Sequence, residues 1–283
     1  MFSTAWLGSS SWNGTRRAMR AARLPIVLIG AVGLLVIQEA AALNPEQLDP
    51  QDTAILHATL QRLESLIATK KQDGTASLLT WEALYEPLAP EERKLIDEFR
   101  SIKAETLGST SHYFGGRHTA PDIVALQPAQ IIKNGSPTSL DPQHLPRHVY
   151  QAYQAMMDAM ANDIGKRLLV ESGYRSPAYQ LYLFLFYLPK HAYSIRETNR
   201  HVALPGYSEH GYPPRQAIDL INEEGINGED HPEEFEALPE YQWLTTHAHR
   251  FGFYLSYPRD NPYHTAFEPW HWHYEAPADV PSE

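Results

Sequence analysis

Apolar residues recur at helical spacing in five segments of the chain. Between residues 43 and 70, positions such as Leu60, Leu63 and Ile67 lie three or four apart, which predicts an amphipathic helix. Similar patterns predict further helices over residues 88–103, 146–166, 177–188 and 241–250. The last of these is followed by Gly252, a residue type that often stands just after the C-terminus of a helix.

Short apolar runs bounded by turn residues predict strands in the C-terminal half. These runs are residues 168–170, 217–221, 253–257 and 270–274. Residues 108–145 are rich in Gly, Pro, Ser and Thr and predict loop with short extended pieces, and the acidic residues 222–239 predict a solvated loop. Since strands and helices do not alternate regularly, the expected fold class is α+β. We expect a small antiparallel sheet flanked by helices, with a mainly helical N-terminal region.

Residues 1–42 have the pattern of an export signal. Four arginines between Arg16 and Arg23 precede an apolar stretch from Leu24 to Ile37, and Ala40, Ala41 and Ala42 follow. The stretch is shorter than the roughly 20 residues that a membrane-spanning helix needs. We therefore expect a signal peptide and an exported protein in the periplasm or cell envelope. An uncleaved N-terminal anchor is the alternative, and it would be the only contact with a membrane.

The motifs divide the rest of the chain into two predicted regions. Residues 43–140 carry no recognisable motif and are predicted to be a helical, loop-rich accessory region. Residues 141–283 carry all of the chemical motifs and are predicted to be the catalytic domain.

Composition argues against a nucleic-acid partner and excludes chemistry that needs cysteine. The chain has 34 acidic and 23 basic residues and a net charge of −11. This argues against a nucleic-acid partner, because phosphate binding needs clustered cations. The chain also has no cysteine, which excludes thiolate metal ligands and a cysteine nucleophile. Any metal must therefore be held by nitrogen and oxygen atoms.

Histidines and carboxylates concentrate in three short runs. They are Ser208-Glu209-His210, Ala217-Ile218-Asp219 and the run from Glu268 to Tyr274, which contains two more histidines. A catalytic zinc needs three protein ligands, an open position for water and a nearby base. These runs supply enough imidazoles and carboxylates for such a site, and they predict a zinc hydrolase.

Four motifs also occur in the order found in a known family. They are Ser172-Gly173-Tyr174-Arg175-Ser176, Pro205-Gly206-Tyr207-Ser208-Glu209-His210, Ala217-Ile218-Asp219 and Glu268-Pro269-Trp270-His271. Together they resemble the D-alanyl-D-alanine carboxypeptidases of the vancomycin-resistance type, which belong to the lysostaphin- and hedgehog-like zinc peptidases. The resemblance covers roughly residues 145–277. It implies a zinc metallopeptidase that removes a terminal D-alanine from peptidoglycan stem peptides or their precursors.

The resemblance also implies roles for individual residues. His210, Asp219 and His271 resemble the three zinc ligands of the family. Glu268 resembles the general base, which takes a proton from water and delivers it to the departing amine. Arg175 resembles the arginine whose fixed charge stabilises the developing oxyanion.

Three further residues are candidates for substrate binding. Ser208 and Gln180 are expected from their positions to hydrogen-bond the end of the substrate. Relatives usually have arginine where this chain has His273. His273 is therefore expected to contact the substrate or to support a metal ligand from behind.

The chain departs from the family pattern between two of the implied ligands. His210 and Asp219 are nine positions apart, where the family usually has seven, and Tyr212-Pro213-Pro214 occupies the additional length. Arg215 stands where a glycine is expected. We expect this departure to alter loop shape and substrate fit more than metal binding.

Other interpretations remain open at this point. In endopeptidase branches of the wider group, a His-x-His pair supplies first a base and then a ligand, which would make His271 the base and His273 the ligand. Glu268, three residues before His271, favours the carboxypeptidase arrangement. The alternative functions are an L,D-carboxypeptidase or a peptidoglycan endopeptidase of the same fold, or a catalytically inactive wall-binding module.

Overall fold

The structure is a computed structural model that describes residues 43–115, 122–133, 135–263 and 265–276. The predicted export signal, residues 1–42, lies outside these residues. The described residues belong to one compact unit. No helix within them is long and apolar enough to cross a membrane.

Eight α-helices lie within the described residues. Their bounds are α1 Pro50–Gln72, α2 Trp81–Tyr85, α3 Pro90–Ser101, α4 Arg147–Ile164, α5 Pro177–Tyr187, α6 Ile195–Thr198, α7 Pro232–Glu236 and α8 Pro239–His247. Helix α1 begins later than predicted because the Asp49 side chain accepts hydrogen bonds from the Gln51 and Asp52 amides and so caps it. Helix α7 lies in the segment predicted to be a loop. It forms because Phe235 is fully buried, which a largely acidic sequence does not reveal.

Eight strands form one central sheet and two small ones. Their bounds are β1 Ile123–Ala125, β2 Gln130–Lys133, β3 Ser136–Ser139, β4 His144–Pro146, β5 Leu168–Ser172, β6 Ala217–Asn222, β7 Phe253–Leu255 and β8 His271–Tyr274. The central sheet is antiparallel with the order β5-β6-β8-β7, and the pairs β1/β4 and β2/β3 form the two small sheets. The predicted α+β class, with a small antiparallel sheet and a helical N-terminal region, is confirmed.

Two hydrophobic cores meet where the chain leaves strand β5. The first core packs α1 and α3 against α5, with Leu63, Phe99 and Phe184 fully buried. The second packs the central sheet against α4 and α8. The turn Gly173–Ser176 joins the two, and it carries Arg175. The first core contains residues from both sides of position 140, because α1 and α3 pack against α5, the helix that follows this turn. The domain boundary at residue 140 remains a prediction.

Candidate metal centre

The register of the central sheet places two implied ligands directly opposite each other. Asp219 on β6 pairs with His271 on β8, whereas His273 pairs with Ala217. Opposite residues of antiparallel strands project from the same face with their Cβ atoms roughly 5 Å apart. Accordingly, His271 Nδ1 lies 2.9 Å from Asp219 Oδ1.

His210 reaches the same point from a short 3₁₀ turn, Glu209–Gly211. Its Nδ1 lies 2.7 Å from the Gly173 carbonyl oxygen. Since a carbonyl only accepts, Nδ1 carries the proton and Nε2 has a free lone pair. Nε2 is buried without a hydrogen-bond partner and lies 3.1 Å from Asp219 Oδ2.

The three residues form a compact set of donor atoms. One ligand atom from each of His210, Asp219 and His271 lies within 4.8 Å of the others. The additional residues between His210 and Asp219 do not separate them, because a second 3₁₀ turn, Pro213–Arg215, takes up the length. The longer loop thus leaves the three donor residues close together, and its smaller effect on metal binding than on substrate fit stays a prediction.

The electrostatics of the set depend on burial and on the close pairing of opposite charges. Burial favours raising the pKa of the Asp219 carboxyl, but His210 and His271 hold it well below its usual range. Burial, followed by the Arg175 charge, lowers the pKa of His210 to about 4. Burial favours lowering the pKa of His271 as well, but Asp219, Glu209 and Glu268 raise it to about 10. At neutral pH, His210 is therefore neutral and Asp219 is ionised.

Glu268 lies beside this set and lines the open cavity that contains it. Its Oε2 is 3.7 Å from His271 Nδ1. Burial raises the pKa of the Glu268 carboxyl to about 7, although the neighbouring His271 acts in the opposite direction. A carboxyl that titrates near neutral pH is suited to accept a proton and to return it.

Arg175 lies on the tight turn after β5. A Cβ atom at residue 173 would lie 2.3 Å from the His144 carbonyl oxygen, so only glycine allows this close approach. The Arg175 amide donates to the His210 carbonyl at 3.0 Å. The Arg175 guanidinium lies 3.8 Å from Asp219 Oδ2, and its buried Nε has no hydrogen-bond partner. The cation therefore faces the candidate metal centre.

An open cavity of about 480 Å³ contains the donor set, a volume typical of small-molecule sites. Arg175, Gln180, Ser208 and Glu268 line it together with the donor residues. Residues of the N-terminal region also line it, namely Lys71, Gly74, Ala76, Ser77 and Ser111. The region for which the sequence predicted no role thus forms part of the cavity wall.

His273 does not face this cavity. It is 4% exposed and is absent from the residues that line the cavity. Its Nδ1 lies 2.7 Å from Ser256 Oγ. The expected substrate contact of His273 therefore finds no support in the structure, because the residue lies behind the metal centre.

Four residues near the site had no predicted role. Tyr257 places its ring 4.8 Å from the ring of His271 and lines the cavity. Glu209 and Ser256 form hydrogen bonds behind His271. Glu171 lines the cavity on β5. Only Glu209 carried a sequence signal, its place next to His210, whereas the others depend on contacts across the fold.

The Glu171 carboxyl provides a test of the electrostatics of the cavity. Burial raises its pKa to about 7, with the carboxylates of Asp219 and Glu229 adding to the shift. The folded-state pKa of Glu171 exceeds the unfolded value of 4.5. Protonation of this group therefore adds to the free energy of unfolding, fully below pH 4.5, and the contribution is lost as the pH rises through about 7. We expect metal-free Glu171→Gln to exceed wild type in free energy of unfolding by about 1–3 kcal/mol at pH 8, and by less at pH 5.

Urea denaturation at the two pH values measures this difference. Glutamine retains an acceptor for the hydrogen bond from Asn227, so the substitution removes mainly the buried charge. Glu234→Gln is the control for loss of an exposed charge, because Glu234 is exposed and is not among the residues that line the cavity. An equal difference at pH 5 and pH 8 for Glu171→Gln would contradict the expectation.

The fold and the site define an α+β protein with a candidate metal centre in an open cavity. Residues 142–277 match the family model VanY, described as D-alanyl-D-alanine carboxypeptidase. The match spans just under half of the chain, and the resemblance stated from the four motifs is confirmed.

Individual relatives resemble the same part of the chain. YodJ of Bacillus subtilis (strain 168), whose name assigns it provisionally to the carboxypeptidases, is 29% identical over 134 residues, which are 47% of this chain and 46% of that protein. The chain thus matches the curated relative over about half of that protein's length.

Two solved structures are also similar. The LdcB LD-carboxypeptidase is 25% identical, with 56% of this chain and 71% of that chain covered and a TM-score of 0.43. A vancomycin-resistance D,D-pentapeptidase VanY from a VanB-type cassette, in complex with Zn(II), is 25% identical, with 53% and 78% covered and a TM-score of 0.38.

Proposed function

We propose that the chain is a zinc-dependent D,D-carboxypeptidase of the periplasm or cell envelope that removes the terminal D-alanine of peptidoglycan stem peptides. The observation that carries this proposal is the convergence of His210, Asp219 and His271 within 4.8 Å in an open cavity, next to Glu268 and Arg175. The VanY family match supports a peptidoglycan peptide as the substrate.

The donor atoms suit zinc. Two imidazole nitrogens and one carboxylate are a ligand set found in catalytic zinc sites that keep a position open for water. The buried His210 Nε2, which has no hydrogen-bond partner, needs a partner at the centre of the set. Zinc bound there would polarise the scissile carbonyl and lower the pKa of a bound water to about 7.

The residues of the chain supply the other steps of hydrolysis. Glu268, whose pKa is raised by burial to about 7, takes a proton from the attacking water and delivers it to the amine of the departing D-alanine. The Arg175 guanidinium stabilises the oxygen on which negative charge develops. Both side chains line the cavity, so a bound peptide has access to them.

Gln180 and Ser208 offer different hydrogen-bonding groups to a substrate. Gln180 Nε2 donates to the Ala203 carbonyl at 2.7 Å, and Gln180 Oε1 is buried without a partner. We therefore assign Gln180 to an N–H group of the peptide and not to its terminal carboxylate. The Ser208 hydroxyl is able to donate to that carboxylate.

Mass spectrometry of purified muropeptides after incubation with the zinc-loaded protein tests the proposal. Conversion of pentapeptide to tetrapeptide is the expected result. Conversion of tetrapeptide to tripeptide would indicate an L,D-carboxypeptidase instead, and release of monomers from cross-linked dimers would indicate an endopeptidase. If every substrate is bound but unchanged, the chain is a wall-binding module and the proposal fails.

A further inference from the structure

A buried carboxylate, Glu209, lies behind the metal centre and outside the cavity. Glu209 is 4% exposed and is absent from the residues that line the cavity. It is therefore almost completely shielded from solvent and from a molecule bound in the cavity. Burial of a carboxylate is costly unless hydrogen bonds and an opposite charge compensate it, so its partners indicate its role.

Each oxygen of Glu209 has its own partners. Oε2 lies 3.1 Å from His271 Nε2 and accepts a hydrogen bond from Ser256 Oγ at 2.5 Å. Oε1 accepts from Arg215 Nε at 2.8 Å. The Glu209 carboxylate is thus paired with the Arg215 cation and fixed in orientation by its hydrogen bonds.

Glu209 and the candidate metal centre face opposite edges of the same imidazole. His271 Nδ1 faces Asp219 Oδ1 at 2.9 Å, whereas Nε2 faces Glu209. A carboxylate at Nε2 keeps the proton on that nitrogen and leaves Nδ1 to bind a metal. Metal-ligating histidines commonly donate their second N–H to such a partner, which fixes the ring and raises its basicity as a ligand.

We propose that Glu209 is a positioning residue that holds His271 for zinc, with Arg215 from the lengthened loop as the cation that holds Glu209. The proposal rests on the proposed zinc site. Arg215 lies on the second 3₁₀ turn, Pro213–Arg215, between His210 and Asp219. It also pairs with Glu275. The lengthened loop therefore carries the Arg215 side chain, which contacts Glu209 behind the metal centre.

Zinc affinity, measured by competition with a chromophoric chelator, tests the proposal without relying on turnover. Glu209→Ala is expected to weaken zinc binding by about 10–100-fold, the usual effect of losing such a partner. Glu209→Gln should lose less, because its amide oxygen is still able to accept from His271. Arg215→Gln should weaken binding by less than Glu209→Ala, because Ser256 still holds the carboxylate.

Glu275→Gln is the matched control. Glu275 is half exposed and contacts Arg215 and His273 but not Glu209, so its substitution should leave zinc affinity within about twofold. Thermal unfolding of each metal-free variant by circular dichroism checks the fold. If Glu209→Ala does not fold, the comparison of Glu209→Gln and Arg215→Gln with wild type decides the question.

The results separate this proposal from the proposed function. If the wild-type chain binds zinc through His210 and Asp219, but folded variants of Glu209 and Arg215 bind it as tightly as wild type, only the positioning role is overturned. If the wild-type chain binds no zinc, the proposed function fails first and the positioning role fails with it.

Discussion

Replacement of Glu268 by glutamine is expected to lower kcat on pentapeptide muropeptides by about 10²–10⁴-fold, the usual cost of removing a general base. Glutamine has nearly the same shape but does not take up the proton of the attacking water. Zinc should remain at one equivalent per chain, because His210, Asp219 and His271 are unchanged. Steady-state kinetics and metal analysis of the same preparation measure both results.

Glu229→Gln is the matched control for this variant. Glu229 also lines the cavity, but its carboxylate is exposed and has no place in the proposed chemistry, so kcat should change little. Near wild-type activity in Glu268→Gln would assign the base to another group. Loss of both zinc and activity would show that Glu268 supports the metal site. The result would then not support Glu268 as the general base.

The helices were predicted well where apolar periodicity and caps coincide. Helix α5, predicted over residues 177–188, occupies Pro177–Tyr187, and Ser176 caps it by accepting from the Tyr179 amide. Helix α7 was missed because a single buried residue, Phe235, anchors it. Periodicity needs several turns to become visible, so a helix of five residues leaves almost no pattern.

The sequence left the choice between His271 and His273 to motif spacing alone. Both residues lie on the same face of a predicted strand, because residues two apart share a face. What distinguishes them is the register of β6 and β8, which puts Asp219 opposite His271 and Ala217 opposite His273. Register depends on pairing between distant strands, and no local pattern in either strand specifies it.

Contacts across the fold also explain why the N-terminal region had no predicted role. The Ser77 carbonyl accepts from the Ser176 amide at 2.8 Å, and Ser176 Oγ donates to the Leu79 carbonyl at 2.5 Å. These bonds hold the turn that carries Arg175. Both acceptors, one from Ser77 and one from Leu79, are backbone carbonyls. Any residue supplies a backbone carbonyl, so the sequence of this segment contains no motif for them.

The two histidines of β8 are expected to behave differently when each is replaced by alanine. His271→Ala should lose stoichiometric zinc, because His271 is one of the three residues whose ligand atoms converge. His273→Ala should keep one zinc per chain, because His273 contacts Ser256 and Glu275 and lies outside the donor set. Inductively coupled plasma mass spectrometry of dialysed protein measures the metal content of both variants.

Two further substitutions serve as the positive and the negative control for zinc loss. His210→Ala should also lose zinc, since it removes the buried Nε2 that has no hydrogen-bond partner, and His249→Ala should keep it, since His249 is an exposed histidine on another part of the chain. Zinc lost on changing His273 and retained on changing His271 would reverse the assignment. His271 would then be the candidate base, the ligand set would be that of the endopeptidase branches, and the expected loss of activity in Glu268→Gln would lack its explanation.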